Sequence, residues 1–475
     1  MRIKIFTMIT RIKHFYKISN ASADKVPPET EGKRYRHLRM QTLLAAIIGY
    51  SLYYICRISL SVVKQPLIDS GTLSAGQLGA IGAALLFTYA AGKFINGFMA
   101  DYCNIKRFMA TGLIVSAAIN LIMGLTGLWE SAAGISNIAL FLFFAIIWGM
   151  NGWAQSMGSA PAVITLSRWF PLNKRGTYYG FICATPSLGE FLSFLYVGAL
   201  VTAFGWQWGF IGAAAAGVLG AVIIAVFMHD NPESKGLPPV EVINKEKFDP
   251  AKRKSIKQAQ KQVLLTSGIW IIAVSSAFLY ICRYAINGWG VLFLQKVKDY
   301  PLETATQLIA VYSLLGVVGT VFSGWISDTL FRGRRMVPAV LFGLAGTGGL
   351  ALFLYGDNSL FTNISALLLC GLSIGILMSL IGGIMAIDIV PRRGTGAALG
   401  IVGIANYISA GIQDISTGIL IDANMTETVG AAGKIIKEYD FSPVSVFWII
   451  ASVLSFLIPV IFWKKLKAKG DEDLS

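Results

Sequence analysis

The feature that most constrains this chain is a series of twelve apolar stretches, each long enough to cross a lipid bilayer as an α-helix. A spanning helix needs about 20 mostly apolar residues. Because the bilayer core offers no water to backbone amides, the backbone of a spanning helix is hydrogen-bonded internally. The sequence predicts an all-α membrane protein with spans near 41–64, 75–100, 107–127, 137–168, 177–203, 206–228, 264–295, 304–327, 336–355, 360–388, 394–421 and 442–463.

Charged residues are scarce and unevenly placed. They make up 14% of the 475 residues, whereas a soluble domain carries about 25%. The formal net charge is +15, but the basic residues form short clusters between apolar stretches. Since no long basic face is present, we expect no nucleic-acid partner. A lipid bilayer is the surrounding medium that this composition favours.

The positions of the basic clusters indicate the orientation of the chain. Loops rich in Lys and Arg stay in the cytoplasm, and such clusters include Lys106–Arg107, Lys174–Arg175, Arg334–Arg335 and Arg392–Arg393. With an even number of spans, both termini are expected in the cytoplasm. We therefore predict a cytoplasmic tail over 1–40, a six-helix half over 41–228, a cytoplasmic linker over 229–262, a second six-helix half over 263–465 and a tail over 466–475.

The two halves repeat short motifs at a nearly constant offset. Gly97–Asp101 is matched by Gly324–Asp328, and Tyr54–Arg57 is matched by Tyr280–Arg283. The offsets are 328 minus 101, or 227, and 283 minus 57, or 226; the Arg-Gly-Thr motifs before the fifth and eleventh spans differ by 394 minus 176, or 218. Internal repeats of this kind are typical of secondary transporters.

The repeated Gly-x-x-x-Asp segments have a mechanical interpretation. An Asp at a helix end can pair with a basic residue of the adjoining loop or with a neighbouring helix N-terminus. We therefore predict that Asp101, Arg107, Asp328 and Arg335 act in conformational gating. The alternative is that the basic residues only anchor the cytoplasmic side.

Several charges lie inside the predicted spans, where each costs about 2.5–3.5 kcal/mol. The deep cations are Arg57, Lys93 and Arg283, and the deep acids are Glu190 and Asp414. Three cations against two acids leave one positive charge unmatched, which a bound anion could balance. Glu190 could also pair with Lys93 or carry a proton, and a salt bridge to one of the cations is the plainer interpretation.

Arg57 and Arg283 occupy matching positions in the two halves. In a two-fold arrangement they would face each other across a central cavity. Two guanidinium groups suit a tetrahedral dianion such as phosphate, a phosphate ester or sulfate, because each donates a planar pair of N–H bonds. The alternative is a structural role, in which each Arg pairs with an acid or with helix carbonyls.

Aromatic and amide side chains surround these cations along the helices. Tyr50 and Tyr54 precede Arg57 on its own helix face, Tyr89 precedes Lys93, and Tyr280 precedes Arg283. We expect the four tyrosines to line the cavity, the alternative being an interfacial aromatic belt. The amide of Gln155 is a candidate substrate contact or a bridge between helices.

Cysteine and histidine give no sign of a metal, a cofactor or a disulfide. No Cys-x-x-Cys pair or Cys/His cluster occurs among the five cysteines and three histidines. His14, His37 and His229 lie outside the apolar stretches and are expected to be solvated.

On its motifs the chain resembles the organophosphate:phosphate antiporters of the major facilitator superfamily, over roughly residues 35–465. The resemblance implies a major facilitator fold, in which Arg57 and Arg283 bind the substrate phosphate, Lys93 adds to the positive field and the tyrosines line the site. It is carried by the segments Gly49–Arg57, Tyr89–Phe94, Gln155–Gly158, Asp230–Pro238, Tyr280–Trp289, Gly324–Asp328 and Phe331–Arg335.

Two positions depart from that family pattern. Most members have a histidine in the fifth span, where this chain reads Cys183–Glu190 without one. Many have a glutamate after an aromatic residue in the eighth span, where Tyr312 is followed here by Ser313.

These features favour a transporter that exchanges a sugar phosphate, such as hexose-6-phosphate or glycerol-3-phosphate, for inorganic phosphate. In this hypothesis an empty site holds repelling cations and resists reorientation. Two alternatives stay open: a membrane sensor with little flux, and a proton-coupled organic anion importer in which Glu190 or Asp414 titrates. No nucleophile–base set or nucleotide loop indicates an enzyme. We expect a monomer in a bacterial inner membrane.

Overall fold

The computed structural model describes residues 10–11, 13–133, 136–243, 256–390, 395–429 and 435–466. Twelve helices in this part of the chain are long and apolar enough to cross a membrane, which confirms the predicted number. They are α1 (Pro28–Asp69), α2 (Ala75–Ala100), α3 (Ile105–Ala133), α4 (Asn137–Trp169), α5 (Leu172–Phe204), α6 (Trp206–Phe227), α7 (Ser267–Lys296), α8 (Leu302–Trp325), α9 (Met336–Tyr355), α10 (Leu360–Ser379), α11 (Thr395–Ala423) and α12 (Ser442–Ile461).

Shorter elements connect or extend these helices. Single π-helical turns continue α8 over Ile326–Leu330 and α10 over Leu380–Ile384, the latter followed by Met385–Asp388. A departure from the all-α prediction is a hairpin between α11 and α12, in which β1 (Met425–Val429) pairs antiparallel with β2 (Ile435–Tyr439). Between the halves lie Glu233–Lys235, Val240–Ile243 and Ile256–Leu265, and Trp463–Lys465 follows α12.

Helix α1 begins well before its predicted span. Its first residue is Pro28, inside the predicted tail, because proline suits the first helical position and Glu29 and Glu31 favour the positive N-terminal end of the helix dipole. The predicted basic pairs Arg392–Arg393 and the Lys174–Arg175 side chains lie outside what the structure describes.

Local sequence also sets the other helix ends near the half interface. Ser74 and Gln77 form a reciprocal capping box that begins α2. Gly205 ends α5 and precedes α6 with φ of 94°, a backbone conformation that favours glycine. The chain therefore passes from α5 into α6 at Gly205 without a longer loop.

The two halves meet closely through α2 with α11 and through α5 with α8. A Cβ added at Gly82 of α2 would lie 1.8 Å from the Asp414 Oδ2 of α11, so a side chain at this position would displace the carboxylate. On the α5–α8 side, a Cβ at Gly198 would lie 2.5 Å from the Thr306 hydroxyl.

Polar contacts between the halves reach one end of the bundle, which we call the sealed end and define by Asp69, Lys296 and Asp422. Lys296 of α7 forms a 2.8 Å ion pair with Asp69 of α1. Asp422 of α11 accepts hydrogen bonds from the Ser74 hydroxyl and from the amides of Ala75 and Gly76 at the start of α2, at 2.7–2.9 Å. A carboxylate at a helix N-terminus is a favourable placement.

The opposite end of the bundle carries the repeated Gly-x-x-x-Asp segments. A Cβ added at Gly97 or Gly324 would meet no atom within 4 Å. Phe98 of α2 is 61% exposed and Trp325 of α8 is 57% exposed. Among the described residues, polar contacts between the halves lie at the centre and at the sealed end.

Candidate binding site between the two halves

Arg57 of α1 and Arg283 of α7 lie in the middle of their helices, and each is only 5% exposed. Tyr54 of α1 and Tyr284 of α7 each interact electrostatically with both guanidinium groups. The repeat-related arginines therefore lie close to the same tyrosines, between the two halves.

The surroundings of Arg57 are aromatic. Its Cζ atom lies 3.9 Å from the ring centre of Tyr89, 5.2 Å from that of Tyr54 and 5.5 Å from that of Tyr407. The Arg57 Nε and Nη2 atoms are buried without a hydrogen-bond partner. Cation–π contacts in a desolvated site contribute about 2 kcal/mol, but they leave these N–H donors free for a ligand.

The surroundings of Arg283 are acidic. Its Nη2 donates to Glu190 Oε1 of α5 at 2.5 Å, and its Nη1 approaches the Met378 sulfur at 3.1 Å. Glu190 is 3% exposed. The suggested pairing of Glu190 with Lys93 is therefore wrong, and the plainer alternative, a salt bridge to one of the cations, is what the structure contains.

Lys93 of α2 lies instead beside helix α11. Its Nζ is 5.1 Å from the ring centre of Tyr407, and a Cβ added at Gly403 would lie 3.4 Å from it. Among the described side chains, Lys93 forms no ion pair, so it contributes an uncompensated positive charge near Arg57.

A fourth deep cation, Lys64 of α1, was absent from the sequence prediction. It is 1% exposed, and its Nζ lies 2.9 Å from Asp414 Oδ1 of α11 and 3.6 Å from the ring centre of Trp289. Trp289 Nε1 also donates to Asp414 Oδ1 at 2.6 Å. The signal was present in the sequence, because Lys64 follows Arg57 by seven residues and so lies on the same helix face.

Lys64 corrects the charge balance. The described spans contain four cations near the interface of the halves, Arg57, Lys64, Lys93 and Arg283, and two acids, Glu190 and Asp414. Four minus two leaves a charge of +2, where the sequence analysis counted +1. A bound dianion would therefore neutralise the net positive charge of this site.

The predicted tyrosines are brought together around the arginines. The Tyr50 and Tyr89 hydroxyls lie 3.5 Å apart. Tyr280 packs 5.7 Å from Tyr407, measured between ring centres, and Tyr407 packs 4.4 Å from Tyr89. Tyr407, which links the tyrosines of both halves, was absent from the sequence prediction, although it precedes Asp414 by seven residues and so lies on the same helix face.

Gln155 of α4 makes the helix-bridging contacts that were its alternative interpretation. Its Nε2 donates to the Tyr53 carbonyl of α1 at 3.0 Å and to the Ser116 hydroxyl of α3 at 2.7 Å. Gln155 therefore joins three helices of one half, and its contact with substrate stays a prediction.

The predicted gating residues differ between the halves. Arg335 pairs with Asp328 and, at 3.1 Å, with Asp388. Arg107 instead donates to the Phe15 carbonyl at 2.7 Å, and among the described side chains Asp101 pairs with no cation. A role in gating stays a prediction for all four.

Another ion pair, partly buried, joins Arg168 of α4 to Asp230, which follows α6. Asp230 also accepts the amides of Ser19 at 2.7 Å and Ile105 at 2.9 Å. Next to it, His229 is only 9% exposed, so the expectation that this histidine is solvated is wrong. Burial, and then the charges of Lys235 and Lys106, lower the pKa of His229 to about 4.

Comparison with known proteins supports this architecture. The Major Facilitator Superfamily model matches residues 46–413. The crystal structure of a bacterial homolog to the human lysosomal transporter Spinster, in an inward-facing and unoccupied conformation, has the same fold, with a TM-score of 0.69 and 18% identity, covering 90% of this chain and 98% of that one.

Curated relatives are closer in sequence. A probable hexose phosphate transport protein of Chlamydia trachomatis is 31% identical over 333 residues, which are 67% of this chain and 70% of that protein. The glycerol-3-phosphate transporter of Bacillus subtilis is 30% identical over 400 residues, covering 82% and 87%. The membrane sensor protein UhpC of Escherichia coli is 28% identical over 394 residues, covering 80% and 85%. The chain is therefore an integral, multi-pass transport protein and not an enzyme, and it belongs to the organophosphate:phosphate antiporter family of the major facilitator superfamily.

Proposed function

We propose that this protein exchanges a small organic phosphate for inorganic phosphate by alternating access of one central site. The observation that carries the proposal is the pair of buried arginines, one from each half, in a cluster whose net charge is +2. A phosphate dianion or phosphate monoester balances that charge, and two guanidinium groups match its oxygen geometry. Relatives named as hexose phosphate and glycerol-3-phosphate transporters support the same substrate class.

The proposed mechanism follows from which half contributes each charge. Arg57 and Lys93 belong to the first half and Arg283 to the second, so a dianion bound between them draws the halves together. Without it, the three cations repel each other, and the Glu190–Arg283 pair offsets part of that repulsion. A bound anion therefore lowers the barrier to reorientation, which makes exchange faster than net flow.

We place both termini on the cytoplasmic side of a bacterial inner membrane and propose that a monomer suffices, because the central site is built from one chain. The sealed end, which has few basic residues, then faces outward. In this orientation the structure is closed to the outside and joined at its centre.

The test is exchange by purified protein in liposomes loaded with phosphate. We expect uptake of labelled glycerol 3-phosphate or glucose 6-phosphate only when phosphate is inside. Arg57→Lys and Arg283→Lys should each lower the rate about 10–100-fold, because lysine cannot donate the paired N–H bonds. Arg39→Lys is the matched control, since Arg39 is a buried arginine of α1, 9% exposed, that stacks on Tyr35 and Phe170 away from the site.

Other outcomes identify the alternatives. Saturable binding without flux would make the protein a sensor, a role named for the UhpC relative. Uptake driven by a pH gradient into phosphate-free liposomes would make it a proton-coupled importer. Normal exchange by both arginine variants would contradict the binding role.

A further inference from the structure

A cavity lies beside Arg57 on the side that faces the sealed end. Helices α1, α2, α4, α7 and α11 contribute to its wall, so it is formed by both halves. Its polar and aromatic lining consists of Arg57, Ser61, Lys64, Trp148, Tyr284, Asn287 and Asp414.

Asn287 lines this cavity with a side-chain amide that has no hydrogen-bond partner. It is 2% exposed, and neither its Nδ2 nor its Oδ1 has a hydrogen-bond partner. A buried amide without partners is unfavourable. By contrast, the amide of Asn151 accepts from Ser116 at 2.6 Å and donates to the Cys56 carbonyl at 3.2 Å. Asn287 therefore presents two N–H donors and one carbonyl acceptor to whatever fills the cavity.

The position of Asn287 relates it to the arginines. It follows Arg283 by four residues, as Ser61 follows Arg57 by four, and 287 minus 61 gives the repeat offset of 226. Four residues of α-helix rise about 6 Å. Each half thus places a polar, uncharged side chain one turn beyond its arginine, at a depth that the carbon chain of an ester can reach and phosphate alone cannot.

The rest of the lining fits hydroxyl groups. Asp414 Oδ1 accepts from both Lys64 and Trp289, whereas its Oδ2 makes no hydrogen bond to the described residues and serves as an acceptor. A hydroxyl group both donates and accepts, so it can satisfy Asn287 and Asp414 together. Lys64 forms an ion pair with Asp414 in the wall of this cavity, so the charge of Asp414 is compensated, and the assignment to hydroxyl groups rests on the unpartnered amide of Asn287.

We propose that this cavity binds the hydroxyl-bearing carbon chain of a polyol phosphate or a sugar phosphate, and that Asn287 distinguishes the ester from inorganic phosphate. The inference rests on the proposed function, since it assumes that the phosphate group lies at Arg57 and Arg283. The two arginines would bind the phosphate group, which both exchanged anions have, and Asn287 would contact the carbon chain, which only the ester has.

The test measures the affinity of purified protein in detergent for three probes: inorganic phosphate, glycerol 3-phosphate and glucose 6-phosphate. We expect Asn287→Leu to weaken binding of the two esters about tenfold through the loss of hydrogen bonds and to leave phosphate binding unchanged. Asn287→Ala, a smaller replacement, should show the same selective loss. Gln65→Leu is the matched control, because Gln65 is also 2% exposed with both amide atoms unpartnered but does not line this cavity.

The outcomes separate this inference from the proposed function. If wild-type protein binds none of the three probes, the proposed function fails. If wild-type protein binds phosphate and esters, but both Asn287 variants bind all probes normally or lose phosphate and esters equally, the cavity does not select the ester and the inference is overturned. A selective loss in Gln65→Leu as well would also overturn it.

Discussion

Arg57 and Arg283 occupy the same position in the two halves, yet their environments are different. Arg57 is enclosed by tyrosine rings and has free N–H donors, whereas Arg283 is bound to Glu190. The cause is visible in the sequence repeat. The 218-residue offset of the fifth and eleventh spans pairs position 190 with 408, which is Ile408, so no equivalent acid faces Arg57.

A reciprocal pattern appears when the second buried pair is included. Glu190 belongs to α5 of the first half and binds a cation of α7, while Asp414 belongs to α11 of the second half and binds a cation of α1. Each half therefore contributes one acid, from its fifth helix, to the first helix of the other half. The two pairs differ in depth, because Lys64 lies seven residues beyond Arg57 toward the sealed end. The repeat preserves which helices pair, and the asymmetry in depth leaves one arginine uncompensated.

The largest expected effect comes from removing the acid that makes the arginines unequal. Glu190→Gln leaves Arg283 buried without its partner, a change that costs about 3–5 kcal/mol, and raises the net charge of the cluster from +2 to +3. We expect a much lower unfolding temperature without phosphate and a larger increase on adding phosphate than in wild type. Thermal unfolding in detergent, with and without phosphate, measures both.

Glu303→Gln provides the control for that variant, because Glu303 is exposed at the start of α8. It should change neither the unfolding temperature nor its response to phosphate. An identical phosphate response in Glu190→Gln and wild type would mean that Glu190 does not compete with the anion for Arg283.

The fold is predictable from the sequence because its signals are local. Apolar length and basic loops indicate twelve spans, and the repeat indicates two halves. Arg57 and Arg283 are predictable as well, because a charge inside an apolar stretch is conspicuous. Lys64 is less conspicuous, because it lies at the end of its predicted span.

The rest of the site depends on packing between halves. Glu190 and Asp414 were identified, but their partners lie 93 and 350 residues away, and the rotation of each helix selects among several cations. The contact of Tyr407 with Tyr89 forms only because α11 packs against α2, and this packing is not visible in the sequence. The position of a buried charge along its helix is therefore predictable from the sequence, whereas the residue with which it pairs is not.

A second, smaller effect is expected at the sealed end. Here a carboxylate that caps a helix of the other half, Asp422, is compared with one that caps a helix of its own half, Asp440. Asp422 caps α2 of the other half with three hydrogen bonds, so Asp422→Ala should favour opening of this end. Spin labels on α2 and α11 at the sealed end should report a larger population of long distances. Asp440→Ala is the control, because Asp440 accepts from Ser442 at the start of α12 within its own half, and it should leave the distances unchanged. Equal distance distributions in both variants and wild type would show that the cap does not hold the halves together.

The smallest effect concerns pH and is confined to the start of the linker, where His229 is buried beside Asp230. Its pKa is lowered to about 4, mainly by burial, whereas a histidine in the unfolded chain has a pKa of about 6.5. Between these values the unfolded state binds a proton that the folded state excludes, so stability is complete above about pH 6.5 and declines as the pH falls toward 4. His229→Gln should therefore reduce the fall in unfolding temperature over that window and have no pH-dependent effect above it. His37→Gln, at an exposed position of α1, should retain the wild-type pH profile; if it flattens the profile as much as His229→Gln does, the acid sensitivity does not come from the buried histidine.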